Sequence, residues 1–133
     1  MSPAFTRVTL LGEAKAEIAA LTDPAVQKAA LTALLMVERD LEFGRLLEVG
    51  ATGDLRGCRK VYVDKPGPDK PRYRLVYWCA PSEAQPRRAR VLAFGERKAL
   101  DAYARAARRY NDDRLAQGGR PVETMTDHEL GLD

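Results

Sequence analysis

Apolar side chains recur at helical spacing through the first third of the chain. Residues 12–21 (GEAKAEIAAL) follow this pattern, and a second series begins after Asp23-Pro24. Asp23 is suited to capping a helix, and Pro24 fits the first helical position, where its missing N–H removes no hydrogen bond. The residues expected on one face of this second helix are Val26, Ala30, Leu34, Val37 and Leu41. A short strand is predicted over residues 5–10, and the two helices are expected to form an antiparallel hairpin.

Beyond this helical region the apolar pattern changes to the two-residue period of strands. Four glycines within residues 43–57 mark the change. Three runs rich in β-branched and aromatic residues follow, namely CRKVYV (58–63), YRLVYWCA (73–80) and RVLAFG (90–95). The proline-bearing segments between these runs have hairpin length, so the runs predict an antiparallel meander.

A long amphipathic helix is predicted over residues 97–117, and Gly118-Gly119 is expected to end it. Its expected apolar stripe consists of Leu100, Tyr103, Ala104, Ala107 and Tyr110. Asp112 and Asp113 are expected at an exposed kink or end of the helix. The order β-α-α-β-β-β-α predicts an α+β fold, with the N-terminal strand and the helical hairpin packed on one face of a small antiparallel sheet.

The opposite face of this sheet is expected to be exposed. Because side chains alternate along a strand, matching registers would place Lys60 and Tyr62 of one strand beside Arg74 and Trp78 of the next. Cations interleaved with aromatic rings suit a polyanion whose bases can stack. For Trp78, packing beneath a loop or the C-terminal tail is the alternative.

Charge is distributed unevenly along the 133 residues, whose formal net charge is +3. Residues 54–120 hold 17 Lys and Arg against 8 Asp and Glu, whereas residues 121–133 hold 4 acidic residues and no basic one. A localised cationic surface attracts phosphate backbones or an acidic protein, and a solvated charged face is the alternative. We expect one domain over residues 1–120 and a flexible acidic tail over residues 121–133.

Several classes of protein and site are excluded by what the sequence lacks. No apolar run approaches the roughly 20 residues of a membrane span, and the N-terminus lacks a signal-peptide pattern, so we expect a cytoplasmic protein without a membrane partner. Cys58, Cys79 and the single histidine, His128, provide neither a disulfide framework nor a usual zinc site, so no metal or cofactor is expected. There is no phosphate-binding loop and no dinucleotide fingerprint.

The remaining arginine, lysine and tyrosine side chains are suited to phosphodiester chemistry without a metal ion. RNA is cleaved when its 2′-hydroxyl attacks the neighbouring phosphate, and clustered cations stabilise the charge that develops. Arginine offers a rigid fork of donors to phosphate oxygens, and a lysine crowded by other cations has a lowered pKa. The residues alone leave open whether such a surface cleaves RNA or only binds phosphate.

A set of spaced motifs runs through the strands and the last helix. A Leu-Arg-Gly precedes a lysine-bearing strand, a Tyr-Arg-Leu-Val-Tyr strand follows, and a hydrophobic strand ends in Gly-x-Arg with a tyrosine six residues later. The segments are LRGCRKVYV (55–63), YRLVYW (73–78) and VLAFGERKALDAYARAARR (91–109). Together they resemble the RelE/ParE toxin superfamily of bacterial toxin–antitoxin systems. The resemblance implies a RelE-like fold and a metal-independent endoribonuclease that cuts mRNA in the ribosomal A site.

The resemblance also assigns roles to particular residues. Arg74 matches the arginine that stabilises charge on the scissile phosphate, and Arg97 the arginine proposed as general acid for the 5′-oxygen. Tyr103 matches a tyrosine that stacks on or orients the substrate, although its helical stripe would also fit the core. Lys60 matches a strand lysine implicated in activating the 2′-hydroxyl. The partners implied are the small ribosomal subunit, mRNA and a cognate antitoxin protein.

Four further residues are candidates for RNA binding. Arg56 matches the Leu-Arg-Gly arginine that contacts RNA, and Arg59, Tyr62 and Trp78 lie in the neighbouring strands. Tyr62 stands where the family has a second strand lysine, and the chain continues past the usual family end. The acidic extension could lie back on the basic face or replace antitoxin contacts in part.

Two alternatives to the ribonuclease remain open. The first is a ParE-like inhibitor that binds DNA gyrase without catalysis, against which the retained Arg74, Arg97 and Tyr103 argue. The second is a degenerate, non-toxic relative from a phage or mobile element, suggested by the replaced lysine and the long tail.

Overall fold

The computed structural model describes residues 7–39, 44–84 and 86–132, which form a mixed α+β structure with three α-helices. In chain order the elements are β1 (Arg7–Leu10), α1 (Gly12–Ala19), α2 (Pro24–Glu38), β2 (Arg45–Leu46), β3 (Val49–Gly50), β4 (Gly53–Asp54), β5 (Cys58–Val63), β6 (Tyr73–Pro81), β7 (Pro86–Glu96) and α3 (Asp101–Ala116), with 3₁₀ turns at Lys98–Leu100 and Val122–Thr124. Residues 5 and 6 of the predicted first strand, and Leu41 of the predicted helical stripe, lie outside the described residues.

The five-stranded sheet has the order β1-β7-β6-β5-β2, and a second sheet pairs β3 with β4. The meander β5-β6-β7 is antiparallel, as the sequence predicted. β1, however, runs parallel to β7, from Arg7 opposite Arg88 to Leu10 opposite Val91. The expectation of a purely antiparallel sheet was therefore wrong, because the pattern within one strand does not specify the direction of its partner.

The start of α2 confirms the predicted cap. A side-chain oxygen of Asp23 accepts a hydrogen bond of 2.9 Å from the backbone N–H of Ala25, and Pro24 occupies the first helical position. The helix buries its small and β-branched residues against the sheet. α1 and α2 cover one sheet face, where the core includes Ile18, Val37, Leu75, Tyr77 and Phe94.

The second sheet face is covered by α3, so helices lie on both faces rather than on one. Ala102, Ala106 and Tyr110 are the buried residues of α3 that pack on this face. The predicted stripe is correct for Tyr110 but wrong for Leu100, which is 43% exposed. Alanine side chains let the helix approach the sheet closely, and the buried stripe therefore follows the small residues rather than the largest apolar ones.

The C-terminal segment, residues 120–132, packs on the same side of the sheet. Val122 and Leu130 are buried there, and the backbone N–H of Val122 donates to the side-chain oxygen of Asn111 at 2.8 Å. The Arg114 guanidinium donates to the carbonyl of Arg120 at 2.7 Å. A flexible tail was expected from its acidity, but Val122 and Leu130 reach the core, while Glu123, Asp127 and Glu129 are exposed.

A buried ionic cluster joins α3 to the sheet. Asp113 is only 5% exposed and accepts hydrogen bonds from Trp78 Nε1 at 2.8 Å and from Arg90 Nη2 at 2.6 Å. The expectation that Asp113 lies at an exposed helix end was wrong. Its partners come from two different strands, and local spacing in the sequence does not reveal such long-range pairing.

Side chains occupy the edge of β7 beyond its pairing with β1. The backbone N–H of Phe94 donates to Glu17 of α1 at 3.1 Å, and Arg109 of α3 donates to the carbonyl of Leu92 at 2.9 Å. Glu17 and Arg109 also pair with each other at 2.8 Å. The otherwise unpaired strand edge is thereby closed to another chain, and α1 is joined to α3 across it.

This edge cluster predicts a loss of stability in acid. Burial raises the pKa of Glu17, but hydrogen bonds from Arg109 and Phe94 together with the nearby guanidinium charges outweigh it, and the net pKa is lowered. A lowered folded pKa contributes stability above the unfolded value, near 4.5, that is lost as the pH falls through the folded value. We expect Glu17→Gln to lower the free energy of unfolding by about 2 kcal/mol at neutral pH, because the arginine loses its charged partner.

Urea denaturation of the wild type and of Glu17→Gln across the acid range checks this expectation. The difference between the two proteins should shrink as the pH falls below about 4. Glu13 is a matched control, since its carboxylate is exposed and lies 3.9 Å from the Arg109 Nε. A difference that stays constant with pH would contradict the assignment of this stability to the ionised Glu17.

Candidate functional site

An open cleft of about 640 Å³ lies where the sheet meets the start of α3. Its lining residues are Lys60, Arg72, Arg74, Glu96, Arg97, Lys98, Leu100 and Tyr103. Five of these eight residues are basic and one is acidic, which makes the cleft strongly cationic. We refer to it below as the cationic cleft.

Strand pairing sets the geometry of the cationic cleft. Tyr62 of β5 pairs with Arg74 of β6, which in turn pairs with Gly95 of β7. The three residues therefore lie side by side across three adjacent strands. A Cβ at Gly95 would lie only 3.3 Å from the Cα of Ala102. The missing side chain therefore allows α3 to begin directly over the strand that leads to Arg97.

Arg74 is held firmly at the cleft wall. Its guanidinium carbon lies 4.1 Å from the ring centroid of Tyr62, and its Nη1 donates to the carbonyl oxygens of Pro71 at 3.0 Å and Tyr73 at 2.9 Å. Its Nε is buried without a hydrogen-bond partner. An unsatisfied buried donor costs about 1–3 kcal/mol, which an incoming anion that reached this nitrogen would recover.

Lys60 lies between two tyrosine rings. Its Nζ is 5.4 Å from the ring centroid of Tyr62 and 5.8 Å from that of Tyr103. The guanidinium carbon of Arg45, from the short strand β2, lies 5.9 Å from the ring centroid of Tyr62. Tyr62 is thus the aromatic ring around which Lys60, Arg74 and Arg45 gather.

The three cations change the acidity of Tyr62. The charge of Lys60 is the largest influence, slight burial opposes it, and the charges of Arg45 and Arg74 add to it, so that the pKa of Tyr62 is lowered. The side chain is 44% exposed and remains accessible to solvent and ligands. A phenol in such a field ionises more readily than a free tyrosine.

The loop from β7 into α3 carries Arg97 and Lys98. The backbone N–H of Arg97 donates to the carbonyl of Arg72 at 2.8 Å, which fixes the loop to the start of β6. Ala99 and Leu100 then adopt φ values of 55° and 56°. Two successive non-glycine residues in the left-handed region cost about 1–2 kcal/mol each. The fold therefore accepts local strain where this loop borders the cationic cleft.

Arg72 contributes less net charge to the cleft than its position suggests. It pairs with Asp64 at 2.9 Å, and this hydrogen bond is the main reason that the pKa of Asp64 lies well below its usual range. The pair closes the proline-rich loop between β5 and β6. The cations of the cleft without such a carboxylate partner among the described residues are Lys60, Arg74, Arg97 and Lys98.

The structure brings together the residues for which the sequence suggested catalytic roles. Lys60, Arg74, Arg97 and Tyr103 all line the cationic cleft, and Tyr62 contacts two of them. Sequence reasoning missed Arg72, Glu96, Lys98 and Leu100, which also line it. Lys98 adjoins Arg97 in the sequence, and that adjacency was the available signal. The position of Leu100 depends on the left-handed turn, which no sequence pattern predicted.

Trp78 and Arg59 do not lie at the cleft, contrary to the expectation that they contact RNA there. Trp78 shares the predicted face but is only 2% exposed. The packing alternative is correct in part, because the cluster around Trp78 includes Val122 and Leu130 of the C-terminal segment but also residues of α3. Arg59 points to the opposite face, as alternation from Lys60 requires, and its Nη2 pairs with Glu83 at 2.7 Å. Both side chains stabilise the protein interior or the far side of the sheet.

Arg56 is also committed within the fold rather than free to bind RNA. Its guanidinium donates to Asp54, to Asp127 at 3.0 Å, and to the carbonyl oxygens of Val122 at 3.2 Å and Met125 at 2.9 Å. Arg56 lies in a turn before β5, where the backbone N–H of Cys58 donates to the carbonyl of Leu55 at 2.9 Å. It fastens the C-terminal segment and is not among the residues that line the cationic cleft.

Comparisons with known proteins add no family assignment. No family model matches the chain, and no curated protein or solved structure matches it. Among the residues that the structure describes, no helix is both long and apolar enough to span a membrane.

Proposed function

We propose that the protein is a RelE-like toxin of a toxin–antitoxin system, acting as a metal-independent endoribonuclease on mRNA in the ribosomal A site. The observation that carries this proposal is the convergence of Lys60, Arg74, Arg97 and Tyr103 on one cleft. These residues come from two strands, the loop after β7 and a helix, and five of the eight residues that line the cleft are basic. The motif resemblance assigns catalytic roles to the same four residues.

The proposed reaction is an attack of the ribose 2′-oxygen on the neighbouring phosphorus. An O2′–P bond forms, the P–O5′ bond breaks, and the products carry a 2′,3′-cyclic phosphate and a 5′-hydroxyl. Arg74 stabilises the added negative charge on the phosphate oxygens, for which its planar donor fork is suited. Arg97 donates a proton to the departing 5′-oxygen, as the resemblance implies.

Binding and orientation come from the remaining groups of the cleft. Tyr103 offers a ring on which a base stacks, and Lys98 adds a cation beside Arg97. The cleft is open rather than enclosed by the described residues, which suits a long substrate held by a second surface. In the proposal the small ribosomal subunit supplies that surface, and a cognate antitoxin protein neutralises the toxin.

Mapping of mRNA ends after brief induction in bacterial cells tests the proposed function. We expect growth arrest together with new mRNA ends inside translated regions, carrying a 5′-hydroxyl. The ends should disappear when the same transcript lacks a ribosome-binding site, because cleavage requires the ribosome. Inhibition of DNA gyrase supercoiling without new RNA ends would instead support the ParE-like alternative. Normal growth with intact mRNA would support a degenerate, non-toxic relative.

A further inference from the structure

The reaction proposed above needs a group that accepts the proton of the 2′-hydroxyl. The histidine of the chain, His128, lies in the C-terminal segment and is not among the residues that line the cleft. Guanidinium and ammonium groups are donors without an acceptor atom. Of the described residues, Tyr103 and Glu96 line the cleft, and Tyr62 adjoins it through its contacts with Lys60 and Arg74. These three side chains remain as acceptors.

More cations lie close to Tyr62 than to Tyr103 or Glu96. Tyr62 has Arg74 stacked at 4.1 Å, Lys60 at 5.4 Å and Arg45 at 5.9 Å from its ring centroid. Tyr103 has Lys60 at 5.8 Å. Glu96 pairs with Tyr73, whereas Arg74 pairs with Gly95, so alternation assigns Glu96 and Arg74 to opposite sheet faces.

The charged groups around Tyr62 come from every element that borders it. Arg45 faces it from β2, Lys60 from its own strand and Arg74 from β6, while Tyr103 of α3 lies beyond Lys60. On its other side a groove shared with α2 contains Lys28 and Asp64. Asp64 is paired with Arg72. The balance of charge is positive, in agreement with the lowered pKa of Tyr62.

We propose that Tyr62 is the catalytic base of the RNA cleavage proposed above, on which this inference rests. Its phenolate oxygen takes the 2′-hydroxyl proton as the O2′–P bond forms, and the 5′-oxygen leaves with a proton from Arg97. Tyr62 then gives its proton to water and Arg97 regains one from water, so both side chains return to their starting protonation states. Lys60 acts as a positioning residue whose charge holds the phenolate, and Arg74 contacts both the Tyr62 ring and the phosphate.

Tyr62→Phe tests the proposal because phenylalanine keeps the ring on which Arg74 stacks and removes only the hydroxyl. The assay is single-turnover cleavage of mRNA on programmed ribosomes, from about pH 6 to about pH 9. We expect the wild-type rate to rise with pH until Tyr62 is ionised. The variant should be slower by about 100-fold or more and should lose this rise, since general-base catalysis contributes roughly 100- to 10,000-fold.

A matched control and a modified substrate separate a chemical role from a structural one. Tyr73→Phe removes the hydroxyl of a tyrosine that stacks on Phe94 at 5.4 Å on the other sheet face, and its rate should remain near that of the wild type. An mRNA with sulfur in place of the 5′-bridging oxygen needs no proton on its leaving group. It should rescue Arg97→Ala but not Tyr62→Phe.

The outcomes distinguish failure of the Tyr62 assignment from failure of the proposed ribonuclease function. If the wild type cleaves mRNA and Tyr62→Phe matches Tyr73→Phe at every pH, Tyr62 is not the base, although the ribonuclease stands. If the sulfur substrate rescues both Arg97→Ala and Tyr62→Phe, the base assignment is also overturned. If the wild type leaves mRNA intact, both proposals fail. Thermal unfolding of each variant verifies that Tyr62→Phe is folded.

Discussion

Replacing Arg74 and Arg97 together by alanine is expected to abolish growth arrest and slow mRNA cleavage by at least about 100-fold. In the proposed reaction, Arg74 stabilises the charge on the phosphate and Arg97 protonates the departing oxygen, so the double variant lacks both contributions. Each arginine is placed by backbone contacts of its neighbourhood rather than by a salt bridge. Arg74 donates to the carbonyls of Pro71 and Tyr73, and the backbone of Arg97 is bonded to that of Arg72.

The double variant is expected to have little effect on folding. A loss of mRNA cleavage can therefore be distinguished from a loss of stability. Removal of the Arg74 side chain loses two hydrogen bonds to backbone carbonyls and the contact with Tyr62, but it also removes the cost of an Nε that lacks a hydrogen-bond partner. Arg97 is exposed. The double variant should therefore unfold at nearly the same urea concentration as the wild type.

Arg108→Ala is the matched control for lost positive charge. Arg108 is exposed on α3 and is not one of the residues that line the cationic cleft. Its replacement should leave the cleavage rate within a few-fold of the wild type, apart from the weak effect of one fewer surface charge. Undiminished cleavage by the folded Arg74→Ala, Arg97→Ala variant would reject the site.

The elements that the sequence predicted correctly are those determined by local chemistry. Asp23-Pro24 marks the start of α2, and the two-residue period of CRKVYV and YRLVYWCA marks β5 and β6. The direction of β1 was not predictable in this way. Its four residues satisfy strand preferences in either direction, and its parallel pairing with β7 depends on how α1 and α2 carry the chain back across the sheet.

For the candidate site, too, the sequence predicted the local pattern correctly but not the long-range packing. Alternation correctly placed Lys60, Tyr62, Arg74 and Trp78 on one face, since a strand has a strict period of two. It could not show how far α3 extends over that face. The helix covers Trp78 and leaves Lys60, Tyr62 and Arg74 at its margin, and this boundary is what turns a sheet face into a cleft.

The contacts that hold α3 in this position predict the largest effect on stability. Asp113→Ala is expected to lower the free energy of unfolding by about 3–5 kcal/mol, because removal of one partner leaves a guanidinium uncompensated in a largely buried site. Trp78 Nε1 at 2.8 Å and Arg90 Nη2 at 2.6 Å would both lose their acceptor. The Arg90 Nε, at 3.1 Å from the same carboxylate, would lose one as well.

Urea denaturation of Asp113→Ala measures this loss. An unchanged slope of the free energy of unfolding against urea concentration would show that the variant affects the folded state alone. The neighbouring exposed residue provides the control, and Asp112→Ala should change the free energy of unfolding by no more than about 0.5 kcal/mol. Asp113→Leu combined with Arg90→Met should recover part of the loss, because an apolar pair leaves no buried charge without a partner. If Asp113→Ala were as mild as Asp112→Ala, the buried cluster could not be what fixes α3 over the sheet, and the margin of the cationic cleft would need another support.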